Sequence, residues 1–259
     1  MPVTLPIPIR RLSQQQFGEL AFEVVRHVFA IHNEIGRFFD EKIYKSALAH
    51  RMREVRLEVP LDITFATFQK RYFIDVVVGN GAIFEFKAVE TISARHRAQL
   101  LQYLLLCDIA HGKLINIRSK DVQHEFVNTH WQHADRIIFD VRTSHWNAAI
   151  PGAAKFPDLV IALLRDLGGG LGIALYEEAI MHLLEGTTTD VAVKMDGHVV
   201  GQQRVRLIAP DVALKITGFN GPLEPFEQHA RRLLAHINLR AIAWVNVNMK
   251  EITFTALEK

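Results

Sequence analysis

Two adjacent runs rich in β-branched and aromatic residues, Tyr72-Phe73-Ile74-Asp75-Val76-Val77-Val78 and Ala82-Ile83-Phe84-Glu85-Phe86-Lys87-Ala88, read as strands. Gly79-Asn80-Gly81 between them is a turn. Upstream, Gly36 to Tyr44 reads as a helical segment. Downstream, a helix carries Gln99-Leu100-Leu101-Gln102-Tyr103 and continues apolar to Ile109, and Leu114-Ile115-Asn116-Ile117 reads as a further strand. Helices and strands interleaved in this way predict an α/β fold.

Polar residues interrupt these apolar runs at a few places, and their spacing carries the chemistry. Residues two apart on a strand share a face, so Glu85 and Lys87 point the same way. A three-residue hairpin loop pairs Val78 with Ala82, and counting back puts Asp75 opposite Glu85 on that face. A two-residue loop would put the two acids on opposite faces. Two neighbouring carboxylates on an apolar hairpin repel each other unless a cation neutralises them. Their hard oxygen atoms suit magnesium or manganese. Asp75, Glu85 and Lys87 are thus the expected chemical centre, with Glu41 reaching the metal from a helix. Glu41 and Tyr44, three apart, and Gln99 and Tyr103, four apart, each share one helix side.

An acid-x-lysine triplet alone carries little information, since Asp40-Glu41-Lys42 also fits it. Taken singly, Glu41 reads as a solvated helix residue, Lys87 as a strand-end charge, and Gln99 with Tyr103 as a core-edge pair. His32 is read as structural. The order of the set distinguishes it. His32-Asn33-Glu34-Ile35-Gly36, Glu41, Tyr44, Asp75, Glu85-Phe86-Lys87, Gln99 to Tyr103 and Leu114 to Ile117 resemble the GxxExxxY proteins, a branch of the PD-(D/E)XK nuclease superfamily. The resemblance covers roughly residues 15 to 128. It implies an αβββαβ core, a divalent-metal site at Glu41, Asp75 and Glu85, a catalytic Lys87, and Gln99 with Tyr103 as a supporting pair. Ile74 stands where the superfamily often has proline.

The second half reads as a worn copy of the first, offset by 130 to 132 residues. Gly168 to Ala179 matches the Gly36 to Tyr44 block, with Ile173 where Glu41 stands. Val212-Ala213-Leu214-Lys215-Ile216 falls at the Ile83 to Lys87 strand and lacks an acid-x-lysine. The helix Glu227 to Ile237 keeps Gln228 but has no tyrosine, and Ala243 to Val247 mirrors Lys113 to Ile117. Gly168 to Gly172 also admits reading as a phosphate loop, but no Lys-Ser/Thr follows it. Pro157-Asp158 and Pro210-Asp211 read as turns or helix starts. The expectation is two restriction-endonuclease-like (αβββαβ) domains in tandem, the second degenerate: residues 1–130, a linker over 131–155, and residues 156–259. Arg136 to Val141 is expected to add an edge strand to the first domain.

Composition adjusts this picture modestly. With 259 residues and 49% of them apolar, the chain can bury two cores. A single cysteine, Cys107, excludes an intrachain disulfide and a zinc cluster, and reads as core. Met1 to Arg11 lacks the apolar stretch of a secretory signal, and Arg165 and Asp166 interrupt the best candidate for a membrane span, so a cytoplasmic protein is expected. The net charge of +2 says little about a polyanion partner. By halves it says more: residues 1–130 hold 17 Lys/Arg against 14 Asp/Glu, residues 131–259 hold 13 against 14. DNA or RNA is therefore expected on the first half, with Arg37, Lys70, Arg95 and Arg97 as phosphate contacts. Three functions fit: magnesium- or manganese-dependent cleavage of nucleic acid, nucleic-acid binding without turnover, and a protein-interaction role. The two halves are expected to act as an intrachain pseudo-dimer, with a homo-oligomer left open.

Overall fold

The structure is a computed structural model and describes residues 2–259. The elements in chain order are β1 (Val3–Thr4), α1 (Gln14–Ile35), α2 (Glu41–Arg51), β2 (Val55–Phe65), β3 (Phe68–Val78), β4 (Ala82–Lys87), α3 (Ala94–Leu106), β5 (His111–Asn116) and β6 (Gln123–Asn128). They continue as α4 (His133–Arg136), β7 (Asp140–His145), α5 (Phe156–Leu167), α6 (Ile173–Leu183), β8 (Thr187–Met195), β9 (His198–Ala209), β10 (Val212–Thr217), α7 (Glu224–His236), β11 (Ala241–Val247) and β12 (Glu251–Glu258). The chain divides into two compact units. One is the chain up to Thr64 with Gln69–His133, the other Ala134–Lys259 with Phe65–Phe68.

The first unit is built on a six-stranded sheet ordered β1-β2-β3-β4-β5-β6. Its one parallel contact among the central strands is β4 with β5, on either side of the α3 crossover; β3–β4 and β5–β6 are antiparallel. Ser13 starts α1 with a capping box, its hydroxyl accepting from Gln16 N while the Gln16 side chain accepts from Ser13 N. Gly36, at φ 76°, ends that helix. The helix expected from Gly36 begins only at Glu41, because the left-handed glycine turns the chain before α2 starts. Phe17, Ala21, Val24, Val28 and Ile31 of α1 and Tyr44 and Leu48 of α2 bury one core with Val76, Val78, Phe84 and Phe86. On the strands these are alternate positions, so Asp75, Glu85 and Lys87 face the other side.

Two helices precede the three-strand meander of each unit, α1 and α2 before β2 and α5 and α6 before β8, and an antiparallel strand follows the strand after each crossover, so the expected αβββαβ core is extended at both ends. The second sheet is ordered β7-β12-β11-β10-β9-β8. Reversed, its five strands β8 to β12 run as β2 to β6 do in the first sheet. The correspondence reaches individual bonds. Lys87 pairs with Asn116 across β4 and β5, and Thr217 pairs with Asn246 across β10 and β11, 130 residues later. Asn116 Oδ1 accepts from Val89 N, and Asn246 Oδ1 accepts from Phe219 N. The Tyr44 hydroxyl donates to Gly36 O, and the Tyr176 hydroxyl donates to Gly168 O.

Arg136 to Val141 does not extend the first sheet. Arg136 ends α4, is fully buried and donates to Gly169 O at 2.8 Å, while β7 lies parallel to β12 in the second sheet. Apolar content explains this: Trp146 stacks on Phe156 at 5.2 Å, and Ile150 and Ala153 are buried, so residues 134–155 belong to the second core. Pro157 lies in the first turn of α5 and Pro210-Asp211 forms the β9–β10 turn, as expected. Cys107 caps α3 and is half-buried; burial pushes its thiol up to about 12. Tyr176 is buried, donating to Gly168 O at 2.6 Å and accepting from Leu171 N at 3.0 Å. Tyr176→Phe leaves both groups unpaired and is expected to lower the unfolding free energy by ~1–3 kcal/mol in a urea denaturation.

Candidate active site

Val78 pairs with Ala82, Val77 with Ile83 and Val76 with Phe84, so the loop has three residues and the next step sets Asp75 opposite Glu85. Gly79 and Asn80 both take left-handed φ, 57° and 58°, which closes the loop. The two acids have different surroundings. Asp75 Oδ2 accepts from Phe86 N at 2.9 Å, and its Oδ1 accepts from Lys45 Nζ at 3.0 Å. Glu85 Oε1 accepts from Lys87 Nζ at 2.5 Å, while Glu85 Oε2 is buried with no hydrogen-bond partner.

That pairing leaves Glu85 hard to ionise. Burial, and then the Asp75 charge, push its carboxyl up to about 8, against the lowering pull of Lys87. Glu41 begins α2, is also raised by burial and by Asp75, and its Oε1 is 3.0 Å from Lys45 Nζ. Glu41, Asp75, Glu85 and Lys87 are thus drawn into one charged cluster. Gln99 Nε2 donates to the Tyr103 hydroxyl at 3.2 Å, and Tyr103 meets Tyr72 edge-on at 6.2 Å. Burial pushes Tyr103 up to about 12, with the Glu85 and Asp75 charges adding to the rise, so its hydroxyl stays protonated.

Two members of the cluster were absent from the sequence reading. Lys45 is buried and bonded to Glu41, Glu58 and Asp75. Its spacing of four from Glu41 on one helix was a legible signal. Glu58 gave none, because it reaches Lys45 from a left-handed kink in β2, φ 49°. His32 is buried on α1. The four basic residues expected on phosphate have different surroundings. Arg37 lies over the Phe38 ring at 5.2 Å and Lys70 over Tyr72 at 5.7 Å, while Arg95 is exposed on α3. Arg97 is held in a two-pronged bond to Glu125, 2.6 and 2.9 Å, which engages its fork.

Among the described residues no group of three or more His, Cys, Asp or Glu closes into a ready metal cage. Instead, two lysine ammonium groups stand among the acids. The donors nevertheless suit a hard divalent cation: a buried carboxylate oxygen without a partner, an adjacent carboxylate, and a third at a helix start. No such set exists at the corresponding place in the second unit. Ile173 starts α6 as Glu41 starts α2, and Lys215 replaces Glu85. Ala213 pairs with Leu207, so Lys215 falls opposite Val205 where the first unit has Asp75. The Thr217 hydroxyl stands at the Lys87 position and is occupied, donating to Asn246 Oδ1 and accepting from Trp244 Nε1.

With this geometry in view, comparison with known proteins adds one result. Residues 18–128, from α1 through β6, match the family model of the PD-(D/E)XK nuclease superfamily. The matched segment holds every residue of the cluster and suggests a phosphodiesterase acting on nucleic acid. Neither a curated protein nor a solved structure matches the chain. Among the described residues no helix is long and apolar enough to cross a membrane.

Proposed function

We propose that the first unit is a magnesium- or manganese-dependent nuclease of the GxxExxxY type, and that the second is a degenerate copy of the same fold. The observation that carries this reading is the convergence of Asp75, Glu85 and Lys87 on one face, with Glu85 Oε2 buried and without a partner. A bound divalent ion would polarise the phosphate and lower the pKa of its water. Asp75, Glu85 and Glu41 are the residues that would hold it. Lys87, partly exposed and bonded to Glu85, orients the attacking water or offsets charge on the phosphoryl oxygens. Gln99 and the protonated Tyr103 hold the polar edge of the site. Arg37, Lys70 and Arg95 are the proposed phosphate contacts, and Arg97 contributes less while it is bonded to Glu125.

Lys45 favours a second reading, a nucleic-acid-binding module without turnover, because it already neutralises Glu41 and Asp75. One assay separates the two. Purified protein is incubated with labelled single- and double-stranded DNA and RNA, with magnesium or manganese, beside Lys87→Ala. Metal-dependent cleavage lost in the variant supports the nuclease; retention of substrate without cleavage supports the binding module.

A further inference from the structure

Lys45 has two kinds of partner. Its side chain is 6% exposed, and its ammonium is 3.0 Å from Glu41 Oε1 and 3.0 Å from Asp75 Oδ1, both inside the cluster. The third partner, Glu58, has a half-exposed side chain on a backbone of left-handed φ, a conformation L-residues seldom adopt. Glu58 therefore offers the same ammonium an acceptor on the solvent side. An ammonium among buried carboxylates neutralises them, but it also repels any second cation brought to the same oxygens.

We propose that Lys45 is a displaceable internal counter-ion. It holds Glu41 and Asp75 together until a divalent cation takes those oxygens, and then keeps only the bond to Glu58 that it already makes. This rests on the reading of Glu41, Asp75 and Glu85 as metal ligands. Its consequence is an affinity set by competition, since the cation binds only the fraction of molecules in which Lys45 has released the carboxylates. Glu58 raises that fraction because it is the one of the three acceptors that the released ammonium keeps, and its bond to Lys45 strengthens once the other two are given up.

The test is calorimetric titration of the full chain with manganese, using wild type, Lys45→Met, Glu58→Gln and the double variant. Lys45→Met is expected to bind manganese at least ~10-fold more tightly than wild type, because the competitor is gone. Its metal-free melting temperature should fall, and manganese should restore it. Glu58→Gln alters a half-exposed side chain and should weaken binding by ~3-fold or more in the wild-type background, yet change nothing in Lys45→Met. Equal affinities of wild type and Lys45→Met overturn the proposal. So does a Glu58→Gln loss that persists in Lys45→Met, since Glu58 would then be a metal ligand. Should Lys45→Met not fold, an unchanged affinity in Glu58→Gln overturns it alone. If no variant and no wild-type protein binds manganese, the metal-site reading itself falls, an outcome distinct from all of these.

Discussion

Lys87→Ala is expected to reduce metal-dependent cleavage by at least ~10²-fold while leaving the fold intact, because it removes charge stabilisation made in the transition state. Lys87 lies at the end of β4 with its side chain partly exposed and its ammonium on Glu85, so truncation removes little apolar packing. The loss has a second source. Lys87 donates to the Glu85 carboxylate, whose other oxygen has no partner, and it pulls down a carboxyl that burial has raised to about 8. Without the ammonium, Glu85 is held protonated to still higher pH. The acidic limb of the pH–rate profile should therefore move to higher pH in Lys87→Ala, and residual cleavage should recover partly between pH 7 and pH 9. Glu85→Ala should lose cleavage by a similar factor with no such recovery, since no carboxyl remains to ionise. Cleavage that survives both changes comes from another site.

Asp75→Ala should abolish manganese binding in a calorimetric titration of the full chain. Asp75 supplies an oxygen beside Glu85 and also fixes the strand end by accepting from Phe86 N. No residual heat is expected from the second unit, where Ile173, Lys215 and Val205 occupy the corresponding positions and an aliphatic side chain offers no oxygen. In the wild type the affinity should depend on pH with a definite sign. Glu85, raised to about 8, carries its proton below that value, and a cation binds the ionised carboxylate. Binding should therefore tighten from pH 6 to pH 8 and release about one proton per ion near neutrality. For the metal-free fold the same shift acts in the opposite direction: a carboxyl whose folded pKa lies above its unfolded value favours folding at low pH. That contribution is present below pH ~4.5 and is lost as pH rises toward 8. Glu85→Gln should flatten this slope in urea denaturation. A binding isotherm indifferent to pH, or a second site surviving in Asp75→Ala, would contradict this account of the two units.

Much of the first unit was legible in the chain because strand periodicity and turn length are local. Three residues between two strands set the register, and the register alone brought Asp75 opposite Glu85. The internal correspondence was legible for the same reason: Gly36 and Tyr44 recur as Gly168 and Tyr176, and each tyrosine closes onto the carbonyl of its own glycine. The five residues Gly36 to Asp40 misled the helix reading, since only a left-handed glycine distinguishes a loop from a helix entry there.

What the sequence by itself determined about this protein is the α/β order, the β3–β4 register and the identities of the acids and the lysine on one strand face. Tertiary structure alone decided where the ends of that pattern go. It placed β7 beside β12, because sheet edges are chosen by which apolar face remains to be covered, and Trp146, Ile150 and Ala153 cover the second core. It also decided which charges neutralise the acids. Lys45 lies 30 residues before Asp75 and 13 before Glu58, and no local period links those positions. Their meeting follows from α2 packing beside the sheet, where burying a carboxylate requires a counter-charge close by: for Asp75 that is Lys45, at 3.0 Å against 4.0 Å for Lys87.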